Sequence, residues 1–164
     1  MIKGMDELLK RLGGIQKAME DVDTIVARHA FMAEREAKRN LTKNRSVFTG
    51  TLRNSITTRK LGWAMWVVGT SVKYAPFVEY GTRPHRPPLR PLVEYVRLKN
   101  RMGTVHSMSP RKKQRLFAMA RGLQRKIERD GTEPHPFMRP AYEMVRFQLR
   151  DALVDKLAGA LKGR

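Results

Sequence analysis

The chain has 164 residues, 34 Lys and Arg against 15 Asp and Glu, no Cys, and a formal net charge of +19. That length supports one domain with, at most, an appended helical arm. The absence of Cys excludes a disulfide framework, a zinc–thiolate site and a Cys nucleophile. No apolar run approaches the roughly 20 residues that span a bilayer. Residues 1–11 lack the apolar stretch of a signal peptide, so synthesis and action in the cytoplasm is the expectation. Hydrophobic residues make up 41% of the chain, enough for one modest core. A surplus of positive charge this large is relieved by polyanions or by acidic protein surfaces, so nucleic acid is the first partner to consider. The charges are spread along the whole chain and do not gather on one recognition element.

Met5 to Asn40 reads as a helix. Leu8, Leu9, Leu12, Ile15 and Met19 recur at steps that place them on one face, and Val22, Ile25, Val26, His29 and Met32 continue the pattern. Gly13-Gly14 predicts a break or kink, and the polar run Ala33 to Arg45 predicts a solvated helix end or projecting arm. The stripe as a whole predicts an amphipathic helix packed on a sheet. Thr49 to Ile56 reads as a short helix entering a strand, with Thr49 or Thr51 as its cap. Strands are predicted at Ile56–Leu61 and Ala64–Gly69 around a Gly62-Trp63 turn. Met65, Val67 and Gly69 then face one way and Trp66, Val68 and Thr70 the other. Apolar residues on both faces imply a sheet covered by helix on one side and by a partner on the other.

Tyr74 to Tyr80 is an aromatic segment stopped by Gly81-Thr82. Arg83 to Pro91 holds four prolines and reads as an extended loop. Leu92 to Met102 has a helical pattern. A polar break follows, with Ser109 as N-cap and Pro110 at the first helical position. Arg111 to Arg129 is a strongly basic helix with Leu116, Met119, Ala120, Leu123 and Ile127 on one face. A second Pro-rich loop, Gly131 to Pro140, leads into a final helix from about Ala141 to Leu161.

The two Pro-rich loops echo each other. Gly81-Thr82-Arg83-Pro84-His85 matches Gly131-Thr132-Glu133-Pro134-His135, and further Pro, Arg, Glu and Val residues coincide downstream as far as Val96 and Val145. Two copies are too few for a solenoid. They predict a duplicated unit of extended arm followed by helix, with about 91–130 inserted between a strand–helix core and its last helix.

Chemistry-bearing constellations are sparse. His85 and His135 occupy equivalent places in the echo, and His29 and His106 are isolated. No HxH, HxxxH or HExxH spacing exists, so no metal site is expected. Asp6, Glu7, Glu20, Asp21 and Asp23 lie on the first helix among Lys and Arg, where pairing one turn apart is the expected use. Glu79 lies inside the aromatic segment, which predicts a buried ion pair with Arg139 or Arg53. Ser55, Ser71, Ser107 and Ser109 lack a nucleophile elbow, and Gly13-Gly14 lacks the rest of a phosphate loop. No catalytic residue and no cofactor is expected.

Four pieces in order resemble a known family. Phe48-Thr49-Gly50-Thr51-Leu52-Arg53-Asn54-Ser55-Ile56, then Val67-Val68-Gly69-Thr70, then Tyr74-Ala75-Pro76-Phe77-Val78-Glu79-Tyr80-Gly81-Thr82, and finally Pro136-Phe137-Met138-Arg139-Pro140-Ala141 resemble the neck and tail-completion family of HK-type lambdoid tailed phages. The stretch from about Arg83 to Asp130 is the departure, since shorter members pass almost directly from Gly-Thr to Pro-Phe.

The resemblance implies a structural virion protein of a phage or prophage, made in the host cytoplasm and not an enzyme. It implies a self-assembled ring, hexamer or dodecamer, at the head–tail junction. Its expected neighbours are the head-completion and tail-tube or tail-terminator proteins, with phage DNA in transit and no membrane. Tyr74, Phe77, Glu79, Tyr80, Gly81, Pro136, Phe137, Arg139 and Pro140 are the candidate residues of a subunit seam or core. Phe77, Tyr80, Phe137 and Arg139 are expected to lie near one another. Two rivals are a cytoplasmic nucleic-acid-binding protein using helices Arg111–Arg129 and Ala141–Leu161, and an RNase-like toxin using His85 or His135.

The expected architecture is α+β. A small antiparallel sheet is packed by a long N-terminal helix and a C-terminal helix, with an inserted helical pair. The expected organisation is one domain over 1–164, with an arm over 1–45, a core over 46–82 and 131–164, and an insertion over 83–130.

Overall fold

A computed structural model of the chain describes residues 4–44 and 50–161. Phe48 and the proposed cap Thr49 lie outside the described residues, as does Arg45. The helices are α1 (Met5–Lys43), α2 (Thr51–Ser55), α3 (Ala75–Tyr80), α4 (Leu89–Lys99), α5 (Pro110–Asp130) and α6 (Met138–Leu161). The strands are β1 (Thr57–Gly62) and β2 (Met65–Gly69), and a single 3-10 turn covers Val105–Ser107. Helices with a two-stranded antiparallel sheet make the fold α+β. The residues gather into two compact units: one holds α1 to Asn40, Arg53–Ser71 and Phe137 onward, and the other holds Leu41–Leu52 and Val72–Pro136.

In the first unit the hairpin is docked on α1. Asp23, on α1, accepts hydrogen bonds from the Ala64 backbone N–H and the Trp66 indole Nε1, each at 3.0 Å, and is paired with Lys60. Phe31 meets Trp66 with ring centroids 5.8 Å apart, and Thr58 donates its hydroxyl to the Ala30 carbonyl. Lys60 beside the carboxylate, then the Trp66 and Ala64 donors, hold the Asp23 pKa below the usual carboxylate value. This changes the expected turn. The register pairs Thr57 with Gly69 and Lys60 with Trp66, then slips between Lys60 and Gly62. The turn therefore falls at Trp63-Ala64, one residue later than expected. Ala64 takes a left-handed φ of 49°, uncommon for a residue with a Cβ, and from there its N–H reaches Asp23.

The final helix runs antiparallel to the first. Near the start of α6, Asn40 Nδ2 donates to the Phe137 carbonyl at 3.2 Å; towards its end, Lys156 pairs with Asp21. Phe137, just before α6, and Ala141 and Val145 on α6 are spaced four apart and buried, as are Ala37 and Ile56. Two expectations for α1 are corrected here. It runs unbroken through Gly13-Gly14, and its polar C-terminal third is not a solvated arm. Ala37 and Leu41 are fully buried, because small and apolar residues recur every four positions through the charged run. The charges occupy other faces, where Glu34–Lys38 and Glu36–Arg39 pair. The apolar first half is instead the exposed one: Leu8, Leu9, Leu12, Ile15 and Met19 all face solvent. The Asp21–Lys156 pair sets the alignment, and α6 ends five residues after Lys156, so α1 overhangs its helical neighbour.

In the second unit α4 and α5 form the expected helical pair. Val93 and Val96 of α4 pack with Met108, Leu116 and Ala120, with Leu123 at the margin. Met119 departs from the predicted face and is exposed. Helix α4 begins at Leu89, three residues early, because Pro91 falls in its first turn, where a missing N–H costs no helical hydrogen bond. Ser109 is the N-cap and Pro110 opens α5, though no Ser109 side-chain bond is made.

Candidate functional site

The echo seen in the sequence is a physical pairing. Thr82 and Thr132 form an isolated antiparallel bridge, each N–H donating to the other's carbonyl at 3.1 Å, with their hydroxyls 2.9 Å apart. Each Thr follows a glycine that ends a helix, Gly81 after α3 and Gly131 after α5. Both glycines have positive φ, 71° and 76°. A Cβ on Gly81 would lie 2.3 Å from the Thr132 carbonyl oxygen, and one on Gly131 would lie 2.1 Å from that of Thr82. The bridge therefore demands glycine twice over, for conformation and for space.

The histidines repeat the symmetry. The His135 backbone N–H donates to the Val78 carbonyl of α3 at 2.8 Å, and the His85 N–H donates to the Ile127 carbonyl of α5 at 3.3 Å. Each loop thus donates to a carbonyl in the last turn of the other copy's helix; Ile127 accepts the Gly131 N–H at 2.9 Å as well. The imidazoles themselves are exposed. Gln124 Nε2 donates to the Pro87 carbonyl at 2.7 Å and pins the first Pro-rich loop to α5. Asn44 Nδ2 donates to the Pro136 carbonyl at 3.1 Å.

This clasp fixes α3, whose two sides differ. Ala75 and Glu79 are buried, Glu79 retaining 6% exposure. Tyr74, Phe77 and Tyr80, at successive three-residue steps, lie outward with exposures of 46%, 60% and 76%. Three rings on one face of a short helix, facing solvent, are unusual unless something covers them.

The remaining candidates divide by burial. Phe137 is 1% exposed and serves the core of the first unit. Pro136, Arg139 and Pro140 are exposed, and Arg139 Nε pairs with Glu143 one turn along α6 at 2.9 Å. His29 is buried, its Nδ1 2.8 Å from the Ile25 carbonyl, the arrangement of a histidine satisfied within its own helix. Sequence reasoning missed Asp23, which it assigned to pairing along α1. A carboxylate one residue outside the apolar stripe was the available signal, but only the docked hairpin identifies its partners. The hairpin's outer residues Leu61, Trp63, Met65 and Val67 are exposed, as apolar patterning on both faces led one to expect. Among the described residues no group of three or more His, Asp or Glu is placed to hold a metal ion. No described helix is long and apolar enough to cross a membrane.

Residues 4–81, from the start of α1 to the glycine that ends α3, match the model of the family described as Bacteriophage HK97-gp10, putative tail-component. The resemblance read from the sequence is thereby shown for that segment, and it supports a structural protein of a phage tail and so of the virion. The matched segment contains the outward aromatic face of α3 and ends on Gly81, just short of the bridging Thr82. The Pro136–Ala141 motif and the second Gly-Thr lie beyond it. No curated protein and no solved structure matches the chain.

Proposed function

We propose that this tail component builds a ring at the head–tail junction, completing the tail and leaving a passage for DNA, and that the α3 aromatic face is one half of the seam between copies. The reading rests most on Tyr74, Phe77 and Tyr80, held outward on a helix whose last turn is locked by the Gly-Thr bridge. Aromatic side chains dominate interface energies, and a helix already fixed in place loses little entropy on docking. A closed ring needs two different complementary patches per subunit. The exposed hairpin face of Leu61, Trp63, Met65 and Val67 supplies a second apolar patch. Neighbours in the junction would be head-completion proteins on one side and tail-tube or terminator proteins on the other. The role is structural, with no catalytic step.

Because Phe77 and Tyr80 are exposed, replacing them tests assembly without removing core. Phe77→Ala with Tyr80→Ala should keep the parent's circular dichroism and melting temperature. It should also lose self-association, or attachment to purified tails, by at least tenfold in concentration, read by light scattering and sedimentation. Assembly identical to the parent's would refute the seam.

A further inference from the structure

The basic helix α5 carries eight Lys and Arg against two acids, and its two faces are sharply different. Leu116, Ala120 and Ile127 are buried on the inner one. Along the opposite side Arg111, Arg115, Ala118, Gly122, Arg125 and Arg129 follow one another at steps of four, three, four, three and four residues, all exposed. Those steps average the 3.6-residue helical repeat, so the six form one straight line about 27 Å long. Arg129 is paired with Asp130 at 2.7 Å. Arg111, Arg115 and Arg125 have no ion-pair partner among the described residues.

The middle of the line is bare. A Cβ at Gly122 would meet nothing within 4 Å, so no neighbour in the fold requires a glycine there. A mid-helix glycine nevertheless weakens a helix relative to Ala. Small residues between two arginine pairs let a broad, rigid surface approach the helix axis closely.

We propose that the outer face of α5 is a sequence-independent binding surface for the phosphate backbone of duplex DNA. Arginine's planar fork matches phosphate oxygens. The line itself carries no aromatic side chain, whereas single-strand and loop recognition depends on stacking platforms. Contacts to phosphate alone carry no sequence information and let DNA slide, so such a surface can guide a duplex without arresting it. An acidic protein would satisfy the charge, but it would not need the evenly pitched arginines or the bare centre.

The test uses the full chain and a mixed-sequence 30-base-pair duplex, with binding followed by fluorescence anisotropy across a salt series. The variant Arg111→Gln/Arg115→Gln/Arg125→Gln should flatten the slope of log affinity against log salt by about 3. The control Arg28→Gln/Arg35→Gln/Arg59→Gln removes the same charge from exposed positions on α1 and β1 and should change the slope by less than 1. Gly122→Leu should weaken binding at least fivefold without lowering the melting temperature. Equal losses in the two triple variants would overturn the proposal, since net charge alone would then explain binding. It would also be overturned by absence of duplex binding, by tighter binding of single strands or RNA duplex, or by equal retention of polyglutamate, which would point to an acidic protein.

Discussion

Gly81 and Gly131 are the two residues on which the clasp depends. Each sits where the other copy of its motif passes with a carbonyl oxygen closer than a Cβ tolerates. Gly81→Ala and Gly131→Ala should each cost about 2 kcal/mol or more, combining an unfavourable φ with a displaced bridge. Their effects should be markedly non-additive, because either one breaks the same pair of hydrogen bonds. Urea denaturation of the two single variants and the double variant measures this; additive losses would show that the two loops are independent. Duplication of Gly-Thr-x-Pro-His was readable in the sequence. That the copies clasp each other was not, because a repeat specifies two similar conformations without saying whether they meet.

At the scale of elements, the hairpin depends on one carboxylate of a neighbouring helix. A two-stranded hairpin is marginal alone in water, and Asp23 adds three anchors to it. Its pKa is lowered in the folded state, so its contribution is fully present above the unfolded value, about 3.9, and is lost as pH falls through the folded value. Stability should therefore be level from neutral pH to about pH 5 and fall below about pH 4. Asp23→Asn should reduce that acid-side fall and shift the fluorescence of Trp66 already at neutral pH. An unchanged pH profile in Asp23→Asn would contradict the anchoring.

The element pattern was legible where local rules govern. The inner face of α5, the Pro110 helix start and the α3 stop at Gly81 all follow from periodicity, capping and backbone constraint. Helix α1 shows the boundary of that reading. Its apolar stripe runs evenly from Leu8 to Met32, yet its first half is exposed, while Ala37 and Leu41 within its charged end are buried. Periodicity names the face of a helix; it does not say how far along that helix the neighbouring element reaches.

For the molecule as a whole, the family match over residues 4–81 and the surfaces left uncovered agree. The matched family is described as a tail component, and this chain leaves α3's rings, the outer hairpin face and the start of α1 in solvent. Phe137 has the opposite character: it belongs to the candidate set, but its burial makes it part of the subunit's own interior. Sequence alone could not separate these two kinds of aromatic residue, since both stand beside prolines in motifs of similar composition. The seam assignment is tested most directly by hydroxyl-radical footprinting of Phe77 and Tyr80 in the free protein and in intact phage particles. Oxidation of both rings should fall at least fivefold in the particle, while that of the already buried Phe137 stays low in both. Equal oxidation of Phe77 and Tyr80 in the two states would contradict the account.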